Sequence, residues 1–225
     1  MSASGSLETV SERLLQTLGE RPWKDDFYLA GSAALSLHLS HRPVRDLDLM
    51  TRHNRLASRE RRALLEDFLR FDSAMMVETA RDGYLSARTG EGIGLKLFYY
   101  PYPRLAADDE RLAGNPGSLV VASLLDLGLM KIAAIISRGS LRDFLDLYGL
   151  CQRLPLEELL ARSPEKFSRV RDFPLQALKG LADWSVARDQ PLPAWHRQPD
   201  LAVVESWFRD QVRTLGRRHV GWTGC

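Results

Sequence analysis

Apolar residues recur at helical spacing near the start of the chain. In LETVSERLLQTLGE they fall at Leu7, Val10, Leu14, Leu15 and Leu18, which predicts an amphipathic helix. DFYLA is a short apolar run and predicts a strand. SAALSLHL follows, rich in helix formers and opening on Ser32, a capping-type residue. RDLDLM alternates polar and apolar positions and predicts a strand. ASRERRALLEDFLRF predicts an amphipathic helix whose polar face is strongly basic. AMMVETA, GYLSART and GIGLKLFYYPY predict three more strands. Asp82-Gly83 marks a tight turn between the first two, and Gly90 to Gly92 a looser one before the third.

After the polar connection PRLAADDERLAGNPGS the pattern changes. VASLLDLGLMKIAAIIS, LRDFLDLYGLCQR, LEELLA, FPLQALKGLADWS and LAVVESWFRDQVRTLG all carry helical spacing, and the Pro-rich RDQPLPAWHRQPD links the last two. The expected organisation is therefore α+β, with a helix-flanked sheet over 1–117 and a helical half over 118–225.

Composition narrows the function classes. A chain of 225 residues suits one domain with an appendage or two small domains. A net charge of +2 gives no chain-wide attraction to polyanions, but basic residues cluster in RHNRLASRERR (52–62) and RTLGRRH (213–219). Each cluster reads as a nucleic-acid contact or as an ordinary solvated face or tail. Two cysteines, Cys151 and Cys225, exclude a disulfide framework and a zinc cluster, and fit a reducing cytoplasm. The start of the chain does not read as a signal peptide. The most apolar run, LVVASLLDLGLMKIAAII, is broken by Asp126 and Lys131, so no membrane span is expected.

The chemistry concentrates in YLAGSAALSLHLSHRPVRDLDLMT. A strand that runs through Gly31-Ser32 into a helix exposes backbone amides at the helix start, where glycine permits close approach and Ser32 adds a hydroxyl. Asp46 and Asp48 are two apart on a strand, so their side chains leave the same face while Leu47 and Leu49 leave the other. Two adjacent carboxylates repel each other. A divalent cation that prefers oxygen ligands, such as Mg²⁺, relieves that repulsion. Taken alone, Asp46 and Asp48 also read as a solvated strand end paired with Arg42 or Arg45.

The combination of Gly-Ser, a 13-residue interval and Asp-Leu-Asp-Leu resembles the signature of the DNA polymerase beta-like nucleotidyltransferase superfamily. A second constellation lies in SLLDLGLMKIAAIISRGSLRDFLDLYGL, with Asp126, Lys131, Arg138, Arg142, Asp143 and Asp146 on two successive apolar helices. Its Asp-(x)4-Lys and Arg-Asp-Phe-x-Asp-Leu-Tyr layout resembles the second half of the AbiEii/AbiGii toxin family. GSAALSLHLSHRPVRDLDLMT is similar to that family's first half, including His41-Arg42 before the acids, and GIGLKLFYYPYP to its middle. The resemblance spans residues 27–150.

The resemblance implies a nucleotidyltransferase core domain with a mixed sheet over 1–117, and a helical domain over 118–225 that completes the active-site cleft. It implies that Gly31 and Ser32 bind phosphate and that Asp46 and Asp48 hold Mg²⁺ or Mn²⁺. Lys131 would neutralise the triphosphate, and Arg142 and Asp143 would line the nucleotide pocket or brace Lys131. It implies an NTP substrate, an RNA acceptor such as the tRNA 3′ end, and the role of a toxin in a toxin–antitoxin or phage-defence pair with a cognate antitoxin. The basic helix face, Arg52, Arg55, Arg59 and Arg62, is the candidate RNA contact.

Two positions depart from the superfamily pattern. Lys96 stands where a third carboxylate is usual, and Val44 where a small hydroxyl residue often precedes the acids. Lys96 either replaces one cation's charge or leaves a one-metal site, and Glu78 on another strand is a possible substitute acid. Two other readings stay open: transfer to a small molecule or a protein hydroxyl, and a non-catalytic nucleotide-binding module.

Overall fold

In the computed structural model, which describes residues 9–106, 119–193 and 199–220, the first amphipathic pattern becomes α1 (Thr9–Gly19), with Leu14, Leu15 and Leu18 buried. Leu7 lies outside the described residues. There follow β1 (Tyr28–Ala30), α2 (Gly31–Leu39), β2 (Leu47–Thr51) and α3 (Ser58–Phe71). The three strands expected next are β3 (Met76–Arg81), β4 (Tyr84–Arg88) and β5 (Gly94–Tyr99). A sixth strand, β6 (Val120–Val121), is absent from the expectation, which gave Val121 to a helix. It pairs in parallel with β1.

The strands form one mixed sheet in the order β3-β4-β5-β2-β1-β6. Its register explains the sequence alternation. Leu29, Leu49, Leu97 and Leu85 form one cross-strand row on β1, β2, β5 and β4, and all four are fully buried. Leu47, Leu95 and Ala87 form a second such row. The row between them, on the opposite face, holds Ala30, Asp48, Lys96 and Ser86. A period of two thus sends leucines to the core and the polar series to the other side.

The helical patterns of the second half become α4 (Leu124–Arg138), α5 (Leu141–Cys151), α6 (Leu156–Lys166), α7 (Phe173–Ala182), α8 (Ser185–Arg188) and α9 (Leu201–Val220). α4 packs against α5, α6 and α7, while α7 also packs against α9. The core contains Phe144, Trp184 and Phe208, whose rings meet at centroid separations of 4.2 to 5.9 Å. α6 extends well beyond the expected LEELLA. Its added turns carry Lys166 into the interior.

The chain divides into two compact units, Met1–Ser123 and Leu124–Cys225. The division falls after β6, because the hydrogen bonds of that strand tie it to β1, whereas the sequence pattern puts the boundary near residue 117. No helix among the described residues is long and apolar enough to cross a membrane.

Candidate active site

In the first unit the site is built around the end of β1 and the start of β2. β1 runs directly into α2. Ala30 takes the N-cap position and Gly31 is already the first helical residue, so Ser32 lies inside the first turn and is not the cap. Gly31 has φ +63, in the left-handed region. A Cβ at Gly31 would lie 2.3 Å from Asp48 Oδ2. The glycine is therefore required twice, by its backbone angle and by the carboxylate packed against it. The phosphate-type turn and one of the two acids are in direct contact.

Asp46 precedes β2 and is half-exposed. Its Oδ1 accepts a hydrogen bond from the Gly94 amide at 2.9 Å. Its Oδ2 lies 3.5 Å from Lys96 Nζ. A Cβ at Gly94 would crowd the Asp46 carboxylate at 2.8 Å, so this glycine also marks a close backbone approach. Lys96 is the cross-strand partner of Asp48, and its ammonium reaches Asp46. Val44, the other departure, is buried. Glu78 does not substitute for a missing acid. It is on the outer strand β3, three strands from β2 and so about 14 Å away at ~4.8 Å per strand. It is paired with Arg88 at 2.8 Å.

Among the described residues no group of three or more Asp, Glu, His or Cys side chains is placed to hold a metal ion. Asp46 and Asp48 fit one hard divalent cation, which usually takes one or two carboxylates and completes its shell with water and substrate phosphates. They do not fit two, since the neighbouring strand position is occupied by an ammonium group.

In the second unit the charged residues of α4 and α5 form a network. Asp143 and Asp146 are three apart on α5 and so share a face. Lys131 Nζ on α4 lies 3.0 Å from Asp143 Oδ1 and 2.7 Å from Asp146 Oδ2. Arg138, in the last turn of α4, donates through Nε to Asp143 Oδ2 at 2.7 Å and through a terminal nitrogen to Oδ1 at 3.0 Å. Burial works to raise the Asp143 pKa. The hydrogen bond from Arg138, with the charges of Lys131 and Arg138, outweighs that and holds the carboxyl below its ordinary range. Burial likewise works to lower Lys131, and the carboxylates of Asp146 and Asp143 more than offset it, so its pKa is raised. Both groups are held charged. Arg142, the neighbour of Asp143, is exposed and makes no ion pair with any described residue.

Asp126, five residues before Lys131 on α4, is held from a third helix. It pairs with Lys166 Nζ at 2.6 Å, and both side chains are buried. Lys166 carried no sequence signal, because a lysine in an amphipathic helix reads as part of the wet face. Gly94 could have been suspected only as a glycine inside a strand.

The basic segment after β2 is held in shape. Thr51 Oγ1 accepts from the Asn54 amide at 3.1 Å and Asn54 Oδ1 from the Leu56 amide at 2.9 Å. Arg55, Arg59 and Arg62 are exposed, and the last two are three apart on α3. Arg52 is half-buried, and its Nε is buried without a hydrogen-bond partner among the described residues. Arg61 is engaged elsewhere, 2.6 Å from Asp82. The other basic cluster, 213–219, lies on α9, where Arg218 pairs with Glu157 at 2.5 Å.

The contact between Gly31 and Asp48 has a testable consequence. Gly31→Ala is expected to lower stability by about 1–3 kcal/mol, the usual cost of a non-glycine residue in a sparsely populated backbone region. It is also expected to weaken NTP binding at least about tenfold, ~1.4 kcal/mol, because the new methyl must displace the Asp48 carboxylate. Thermal unfolding and calorimetric titration measure the two effects. Wild-type NTP affinity in the variant would contradict the assigned contact.

Residues 13–201 match the family model described as nucleotidyl transferase AbiEii toxin, type IV TA system. An uncharacterized protein of Aquifex aeolicus (strain VF5) is 27% identical over 195 residues, covering 84% of this chain and 87% of the relative. Among solved structures, MenT4, a nucleotidyltransferase toxin from Mycobacterium tuberculosis H37Rv, shares the fold with a TM-score of 0.61 at 18% identity. That match covers 92% of this chain and 82% of MenT4.

Proposed function

Since the chain belongs to the AbiEii family of nucleotidyl transferase toxins of type IV toxin–antitoxin systems, and is therefore a nucleotidyltransferase, we propose that it transfers NMP from an NTP to RNA, with the tRNA 3′ end as the foremost acceptor. The observation that carries this reading is the packing of Asp48 against the Gly31 turn. It brings a metal-type carboxylate to the half-buried start of a helix, where a bound cation and a phosphate on the first-turn amides would be neighbours.

Asp46 and Asp48 would hold Mg²⁺ or Mn²⁺, which supplies positive charge to the reacting phosphates and makes an oxygen bound to it more acidic. Gly31 admits the Asp48 carboxylate against the turn, and Ser32 adds a hydroxyl in the first turn of α2. Gly94 and Lys96 fix the direction of the Asp46 carboxylate. Within the second unit, Lys131 and the exposed Arg142 are the cationic candidates for a nucleotide's negative charge. Asp143 and Asp146 hold the Lys131 ammonium in one place, so that it acts as a fixed donor and not a mobile charge.

RNA is favoured over a small acceptor by the exposed arginines Arg55, Arg59 and Arg62, with Arg52 at the start of the same segment. Each phosphate contact would release counterions and make binding fall with salt. A cognate antitoxin is the expected partner. A cytoplasmic location, where RNA and NTPs meet, and a role in phage defence belong to the same proposal.

The test is incubation of the purified chain with Mg²⁺, each α-labelled NTP and total RNA, either intact or with periodate-oxidised 3′ ends. Label is expected in tRNA-sized RNA with intact ends and not in the oxidised sample. Label in protein or in a small molecule, with none in RNA, would move the acceptor to the other class.

A further inference from the structure

We propose that Lys96 takes, within the protein itself, the place of a second divalent cation, so that the nucleotide-loaded site holds one ion and not two. The inference rests on the nucleotidyl-transfer reading and concerns only how the acids of that site are balanced. Three observations carry it. The first is register: Lys96 on β5 stands directly across from Asp48 on β2. The second is direction: its Nζ is 3.5 Å from Asp46 Oδ2, while the other oxygen of Asp46 is taken by the Gly94 amide at 2.9 Å. Both oxygens of Asp46 thus already face protein donors. The third is supply: the described residues contain no cluster of three acids, histidines or cysteines, and Glu78 is three strands away on Arg88.

The charges follow from these positions. Two carboxylates and one ammonium carry a net formal charge of −1. Among these protein groups one dication reverses that sign, so a second would have only the phosphates of the nucleotide to balance it and would stand beside a fixed ammonium. Like charges at such distances repel. A third carboxylate in place of Lys96 would make the set −3, which two dications can balance. Lys96 and Asp46 are each part-exposed, at 32% and 43% of their side-chain surface. The site therefore stays open to solvent and to phosphate. A lysine differs from a metal ion in one respect: it supplies charge and hydrogen bonds, but no coordination position for water or a hydroxyl. Lys96 is thus suited to steadying negative charge on Asp46 and the phosphates, and not to activating a nucleophile.

Native mass spectrometry of the full chain, loaded with Mn²⁺ and a non-hydrolysable α,β-methylene NTP analogue, counts the ions directly. The wild type is expected to carry one Mn²⁺ per nucleotide-loaded chain. Lys96→Asp is expected to gain a second, with Lys96→Glu as an independent variant and thermal unfolding to confirm that each is folded. Two ions on the wild-type chain would overturn the inference while leaving the nucleotidyl-transfer reading in place. One ion on the wild type and still one on both folded variants would overturn the role given to Lys96. A wild-type chain that takes up neither nucleotide nor ion would overturn both the inference and the reading beneath it.

Discussion

Asp48→Asn is expected to lower nucleotidyl transfer by about a thousandfold while the chain stays folded. Asparagine keeps the shape of the side chain and removes its charge. Asp48 lies in a five-residue strand whose hydrophobic face, Leu47 and Leu49, is untouched by the change. The sheet therefore keeps its core. What is lost is one of the two carboxylates, Asp46 and Asp48, proposed to hold a divalent cation beside the Gly31 turn. Metal-based charge stabilisation is worth several kcal/mol in a transition state. At ~1.4 kcal/mol per tenfold, a loss of about 4 kcal/mol is a thousandfold in rate. Steady-state rates with α-labelled NTP, beside thermal unfolding curves, measure both halves of the expectation. A variant that keeps more than about a tenth of wild-type activity, a loss under ~1.4 kcal/mol, would show that Asp48 is not a metal-holding group.

A second large effect is expected where no catalysis is involved. Lys166→Ala should destabilise the protein by about 3–5 kcal/mol, the usual cost of breaking a buried ion pair from one side. Lys166 Nζ lies 2.6 Å from Asp126 Oδ1, with side-chain exposures of 0% and 1%. Removing the ammonium deprives a buried carboxylate of that partner. Total stabilities of ordinary domains are only about 5–15 kcal/mol, so the loss would be visible in any denaturant titration. The paired replacement Asp126→Leu with Lys166→Met is expected to recover most of it, because apolar residues of similar volume can replace a buried pair at little cost. If the double variant is no more stable than Lys166→Ala, the pair is not the source of the effect.

How much of this could be read in the sequence depended on how local each feature is. β2 was visible because Asp46, Leu47, Asp48 and Leu49 alternate with the period of a strand, and the structure uses that alternation as written. β3, β4 and β5 were visible as short strand-type segments with turn residues between them. β6 was not, because two valines beside a long apolar helix have no period of their own. Its existence depends on β1 offering a free edge, a fact about three-dimensional pairing. The helix start at Gly31 was legible to within one residue, but the reason for the glycine was not. The close approach of Asp48 Oδ2 becomes evident only when β1 and β2 are laid side by side.

Pairings between helices were the least legible. Asp126 and Lys131 lie five apart in one helical pattern, and each has a partner on another helix. Lys131 is answered by Asp143 and Asp146 on α5, and Asp126 by Lys166 on α6. Nothing in a single amphipathic pattern says which of its charges will be covered by a neighbouring helix. Lys96 falls between these cases. Its place on the strand beside the acids was readable from the pattern, but its reach to Asp46 instead of its cross-strand partner Asp48 depends on the register and slant of the sheet.

The central claim is that the Asp46–Asp48 site transfers the nucleotidyl part of an NTP. The most direct test supplies two differently labelled forms of the same NTP, one at the α-phosphate and one at the γ-phosphate, to the full chain with Mg²⁺ and total RNA. The account predicts that α-label enters RNA, that γ-label does not, and that Asp48→Asn abolishes the incorporation. Transfer of the γ-label, or α-label incorporation that is unchanged in Asp48→Asn, would contradict it.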